Sequence, residues 1–402
     1  MLAPRMSTAN TEPDAPRGTL LAPLLWAIYL ASSWTWCIGM CMPALLARDF
    51  GLAGFLVFAV PNAIGAAAMG WVLASPEAAV RFARTHVHAA RAFSLVTIAY
   101  QAYFLGVLLT FFPGVHAAWL GGLFALALLP WVFVRSIGRA LTLSAAAYAV
   151  SLAAAGVLAL RGGLDWSDNA QGAFATGLLW LAPVSVFGFA LCPYLDLTFL
   201  RARASLSPNA GRAAFALGFL VLFFAMIVVT YLARGPLIAG FAVGAVLLVL
   251  ALPYAVHVVC QLACTIGLHA RELDSASGVG AAGRRPVRLG MVVGFALVGA
   301  AAALGPTVLG MDTREIGYRV FLSAYGVLFP AYVWLLAIPT RDGHRGIGGP
   351  LGRRKLRVWL GAVAIATPAF AMGFLAREEA YLIPGILVLL LSRLALPRPR
   401  IC

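Results

Sequence analysis

Apolar stretches long enough to cross a bilayer, about 20 residues each, recur along this chain near residues 20–46, 52–73, 92–112, 117–134, 141–160, 173–200, 212–233, 240–269, 289–309, 317–338, 357–375 and 380–396. They predict twelve membrane-spanning helices, since only a helix satisfies its own backbone N–H and C=O groups within one segment in lipid. Residues 1–19 are polar and read as a disordered tail, not a signal peptide, because the first span is too long for a cleaved one. Between spans 2 and 3, Ser75-Pro76-Glu77 is a helix-start signature, and Val80, Phe82 and Val87 alternate with Arg81, Arg84, His86, His88 and Arg91. This predicts a short amphipathic helix on the membrane surface, with His86 and His88 on its solvated face. Residues 236–270 form an apolar run longer than one crossing at about 1.5 Å per residue. Its first third reads as an external helix over the bundle, with the true span starting near Gly244. The longest polar gaps, 271–288 and 339–356, leave no room for a soluble domain.

Composition agrees, with 62% apolar and 11% charged residues, more apolar surface than a soluble core hides. Alternate gaps, starting at the N-terminal tail, carry 2, 3, 2, 3, 4, 6 and 3 basic residues, and the intervening gaps carry 1, 0, 1, 1, 2 and 1. This positive-inside alternation places both termini in the cytoplasm. The net charge of +15 then faces anionic headgroups, and no nucleic-acid role follows from it. Lys355 is the only lysine among 29 basic residues, which points to a GC-rich bacterial genome and an inner (plasma) membrane. No Walker loop, HExxH or GxSxG elbow occurs, so neither ATP-driven transport nor a familiar enzyme chemistry is expected. A bilayer haem would need two mid-depth histidines, and only His257 qualifies.

Spans 1 and 6 share a pattern. Span 1 contains Ser33, Gly39, Cys41 and Pro43, and span 6 contains Ser185, Gly188, Cys192 and Pro193. Proline lacks the N–H that bonds four residues back, so Pro43 frees the carbonyl of Gly39 and Pro193 that of Phe189. Freed carbonyls at membrane depth persist where they line a cavity or find another partner. A six-plus-six major facilitator plan fits less well, because residues 74–91 hold neither Asp nor Gly. Through residues 36–43 and 187–198, the amphipathic helix and the ten-plus-two span count, the chain resembles the leucine-transporter fold of the amino acid, polyamine and organocation superfamily, nearest its sodium:solute and nucleobase:cation symporter branches. The resemblance covers residues 20–338 at the level of organisation. It implies inverted five-helix repeats over 20–160 and 161–338, two peripheral helices within 339–402, and interruptions near Gly39 and Gly188. It also implies a secondary transporter of a small organic solute bound against Trp36, Cys37, Gly39, Gln101, Phe187, Gly188, Phe189 and His257.

Span 8 carries a polar stripe of Tyr254, His257, Gln261, Cys264 and Thr265 at helical spacing, a face that avoids lipid. His257 reads either as a proton or substrate relay or as interhelical glue. Asp196 is the one acid inside a span, open to a coupling role or to an interfacial pairing with Arg201 and Arg203. Asn62 and Gln101 are further buried amides. Sodium-coupled members of the family use adjacent hydroxyls on this helix, and Thr265 has none beside it, so of the coupling ions that Asp196, His257, Gln261 and Thr265 could hold, a proton, through the titratable Asp196 and His257, is favoured over sodium. The Cys37/Cys41 and Cys260/Cys264 pairs read as small buried apolar residues, with no metal or other cofactor expected. Lipid and the solute are the expected partners, and self-association into a homo-oligomer is left open. A non-transporting sensor or assembly subunit, or an unrecognised membrane enzyme, is the alternative reading.

Overall fold

The computed structural model describes residues 21–35, 37–112, 114–166, 176–235, 245–277, 285–305, 313–339 and 349–396. Among the described residues fourteen helices follow one another: α1 (Leu21–Trp34), α2 (Cys37–Val72), α3 (Pro76–Thr85), α4 (Val87–Thr110), α5 (Gly114–Val132), α6 (Ile137–Leu160), α7 (Thr176–Leu191), α8 (Leu197–Ser205), α9 (Pro208–Leu232), α10 (Ala245–Ser277), α11 (Arg285–Ala302), α12 (Thr313–Ala337), α13 (Gly349–Phe374) and α14 (Leu382–Leu391). Among the described residues nine helical segments are long and apolar enough to cross a membrane. The chain is an all-α integral membrane protein.

Spans 1 and 2 follow one another directly, as two helical arms of α2 that meet at a non-helical residue. Gly51 (φ 65, ψ −155) kinks α2 there, a left-handed conformation that lets the chain reverse within a residue. Span 1 is itself split between α1 and the first arm of α2, and span 6 between α7 and α8. The proposed external helix falls partly on residues 236–244, outside the described residues, and α10 begins at Ala245.

Helix α3 forms where the sequence places it. Ser75 caps it, its Oγ accepting from the Ala78 N–H at 3.2 Å, and Pro76 fits the first turn, where its missing N–H costs nothing. Its buried face, Ala79 and Ala83, packs toward α8. His86 does not lie on the solvated face as expected. It sits at the bend between α3 and α4, is buried, and its Nδ1 lies 3.2 Å from the Tyr332 hydroxyl of α12. Burial and the nearby Lys355 cation push the His86 imidazole down to about 4. His88, in the first turn of α4, is exposed.

The bundle packs α1 against α9 and α6, and the second arm of α2 against α7 and α9. Helix α10 is enclosed by α4, α5 and α6, while α11 lies along α4. The last contact is close because both sides are small at the crossing. A Cβ on Gly106 would run into the Ala296 carbonyl, and one on Gly299 into the Tyr103 carbonyl, the small-residue packing that brings membrane helices together.

Candidate functional site

Span 1 breaks at Thr35, whose N–H and Oγ1 both donate to the Ala31 carbonyl, at 2.9 and 2.7 Å. Helix α2 then begins with an N–H that lacks an intrahelical acceptor. Gln101 of α4 supplies one, its Oε1 accepting from the Cys37 N–H at 3.2 Å. Tyr318 of α12 donates to the Cys37 carbonyl at 3.2 Å, and Tyr254 of α10 to the Met40 carbonyl at 2.5 Å. Thr265 of α10 donates to the Ser32 carbonyl at 3.3 Å, just before the break. Side chains of three neighbouring spans thus hold the backbone around this interruption.

Span 6 breaks through a 3-10 turn, Cys192–Leu195, that opens on Pro193. Asp196 is extended (φ −74, ψ 115) and caps α8: its Oδ1 accepts from the Thr198 N–H at 2.7 Å and the Thr198 hydroxyl at 2.6 Å. The interruptions therefore lie four residues away from the expected positions. Gly39 is inside α2 and Gly188 inside α7. Pro43 also lies inside α2, whereas Pro193 sits in its break. A break settles where side chains can replace the lost backbone bonds, and Gln101 and Asp196 do so at Cys37 and Thr198.

Both interruptions face one buried void of about 10 Å³, lined by Trp34, Ile38, Gly39, Asn62, Phe189, Cys192 and Tyr325, room for a single water at most. The Trp34 indole N–H donates to Asn62 Oδ1 at 2.7 Å, and the Cys192 thiol to the Tyr325 carbonyl at 2.9 Å. Of the expected substrate contacts, Gly39 and Phe189 line this void and Cys37 and Gln101 meet at the span 1 break. Trp36 lies outside the described residues. Phe187 turns instead toward Trp334, ring centroids 6.4 Å apart, and Gly188 backs onto the Tyr325 carbonyl. His257 is not at the void: its Nδ1 lies 2.8 Å from Ser151 Oγ of α6, to which Gln261 Nε2 also donates at 2.8 Å.

Asp196 is fully buried and does not meet Arg201 and Arg203 at an interface. Arg201 pairs with Glu272 at 2.9 Å, and Arg203 donates to the Leu73 and Leu206 carbonyls at 2.6 and 3.1 Å. Facing Asp196 instead is His269 of α10, its Nε2 3.8 Å from Oδ2 and its Nδ1 3.0 Å from Ser94 Oγ of α4. The sequence reading passed over His269, although it follows Thr265 by one helical turn on the same stripe. Tyr318, whose hydroxyl donates to the Cys37 carbonyl, and Tyr325, whose hydroxyl meets Thr97 Oγ1 at 2.8 Å, were missed as well, since nothing in a lone tyrosine of an apolar span separates such a bond from packing.

Two features mark the ends of the bundle. At the α3 end a cleft of about 800 Å³ runs between Ser75, Arg81, His86, Leu191, Tyr194 and Ile338, reaching the 3-10 turn of span 6. At the opposite end Arg48, Asp49, Glu315, Arg319 and Arg377 form one ion network, with Arg48–Glu315 at 3.0 Å, Arg319–Glu315 at 2.7 Å and Arg377–Asp49 at 2.8 Å. No protein-family model matches the chain, and no characterised protein matches it by sequence. Its class, a polytopic helical membrane protein, therefore rests on the fold.

Proposed function

We propose that the chain is a secondary active transporter of a small organic solute, working by alternating access in a bacterial inner membrane with both termini cytoplasmic. The observation that carries the reading is the apposition of two broken spans on one buried void, with backbone groups held by side chains of neighbouring helices. Irregular backbone at membrane depth is where transporters build their sites. A void of about 10 Å³ admits no organic solute, so loading requires the half-helices to separate. The open cleft at the α3 end and the charge network at the other fit a state closed to the outside.

The pairing of spans supports the five-plus-five repeat over residues 20–160 and 161–338. Span 1 packs on spans 7 and 5, and span 6, five later, packs on spans 2 and 10. Span 3 meets spans 9 and 10 as span 8 meets spans 4 and 5. Five is odd, so such repeats are inverted. Residues 339–402 then add the two peripheral helices. Proton coupling is favoured over sodium, because Thr265 stands between Cys264 and Ile266 with no second hydroxyl beside it, whereas Asp196 can take up a proton.

Purified protein in sealed vesicles tests the reading: solutes that raise its melting temperature, screened from amino acids, nucleobases, sugars and carboxylates, should exchange by counterflow. Uptake of those solutes should follow an imposed pH gradient. A bound solute with no counterflow across the panel would overturn transport in favour of a sensor.

A further inference from the structure

Asp196 caps α8 with Oδ1 alone. Its Oδ2 is buried and has no hydrogen-bond partner among the described residues, a costly state for a carboxylate away from water. The cations nearby are engaged elsewhere: Glu272, one turn beyond His269 on α10, takes up Arg201 at 2.9 Å and Arg271. Among the described residues, Tyr29 of α1, Cys192 of the 3-10 turn and Tyr325 of α12 are further ionisable groups that face Asp196. The group aimed at Oδ2 is His269, fully buried, with Nε2 3.8 Å away, slightly beyond hydrogen-bond length. Ser94 Oγ at 3.0 Å from Nδ1 holds the ring in this orientation. The pair thus bridges the interruption of span 6 to α10 and, through Ser94, to α4. His257 has no such position, since it meets Ser151 away from both breaks.

We propose that Asp196 and His269 form a proton-binding couple that latches the α8 half of span 6. One proton, shared between Oδ2 and Nε2, closes the 3.8 Å gap into a hydrogen bond and docks α8 on α4 and α10. Its departure leaves an unpaired carboxylate oxygen, which draws water into the interruption and frees α8 to move. Only an O–H or N–H bond is made or broken. Water in the cleft at the α3 end supplies and takes up the proton, and Tyr194, two residues before Asp196, forms part of its wall. This proposal deepens the transporter reading and rests on it for the use to which the movement is put.

The test uses the full chain in lipid nanodiscs with no solute. Hydrogen exchange of residues 192–205, divided by the unstructured-chain rate at each pH, should rise with pH by up to about tenfold per unit above the couple's titration point, as loss of one proton on opening requires. Asp196→Asn, which keeps a hydrogen-bonding side chain at the cap, should make that exchange independent of pH. It should also remove a protonated-carboxyl band from the acid-minus-alkaline infrared difference spectrum. His269→Gln should keep the band and displace its titration. A flat exchange profile in the unmodified protein, or a His269→Gln titration identical to it, would overturn the couple even if Asp196→Asn fails to fold. Counterflow with a flat profile leaves the transporter reading standing without the couple, and a titrating latch without counterflow does the reverse.

Discussion

At the scale of the residue, the polar groups that matter are those whose partners come from distant helices. His86 is the clearest soluble-face example, since its ring is held at Tyr332 and its imidazole is pushed down to about 4 from an ordinary value of about 6.5. A depressed imidazole docks at full strength above about 6.5, and docking is lost as pH falls toward about 4. Hydrogen exchange of residues 76–86 should therefore increase on acidification across that window, by up to about tenfold per pH unit. His86→Phe, which keeps a ring against Tyr332, should abolish the increase; an unchanged acid response would place its origin in another group. The sequence could not show this burial, because the alternation of Val80 and Phe82 with arginines says nothing of where the helix stops. Asp196 was legible as a buried acid and, in hindsight, as a helix cap, since an Asp two residues before a threonine at the start of an apolar turn is a capping signal. Its partner His269 was legible only as the next step of a stripe that had been ended one turn early.

At the scale of the element, length and hydropathy placed the helices well, and backbone conformation at single residues decided how they join. Helix α2 needs Gly51 at φ 65, ψ −155, a region open essentially to glycine alone, where another residue costs about 1–3 kcal/mol. Gly51→Ala should lower the unfolding free energy in detergent by that amount, whereas Gly156→Ala, at a position of α6 with nothing within 4 Å of a new Cβ, should leave it unchanged or raise it. Equal effects of the two would show that the bend tolerates ordinary side chains. Span interruptions were readable as such, through Pro193, which sits in the break of span 6, and Pro43, eight residues past the break of span 1. Their register was not, because proline reports only a missing donor, whereas Gln101 and Asp196 determine which residue is released. That information lies 64 residues away in the first case and in the cap geometry in the second.

At the scale of the whole molecule, the alternation of basic gaps was the strongest signal in the chain, and it says nothing about how the charged ends close. Arg48 and Asp49 sit in a short gap, and Glu315 and Arg319 lie far along the sequence, yet all four meet Arg377 in one network. Single exposed ion pairs contribute little, but five linked charges at the mouth of broken span 1 bind the first arm of α2 to α12 and to the segment before α14. If the bundle alternates between closed and open states, as proposed above, this network constrains opening at its own end, and salt should weaken it. A variant keeping Cys41 as its only cysteine tests that, since Cys41 is half-buried on the arm the network restrains. Glu315→Gln in that background should raise labelling of Cys41 by a membrane-impermeant maleimide several-fold in right-side-out vesicles, and high salt should raise it in the parent. Labelling that is unaffected by either change would mean that the arm is held by its packing against α9, and that the charges merely solvate the end of the bundle.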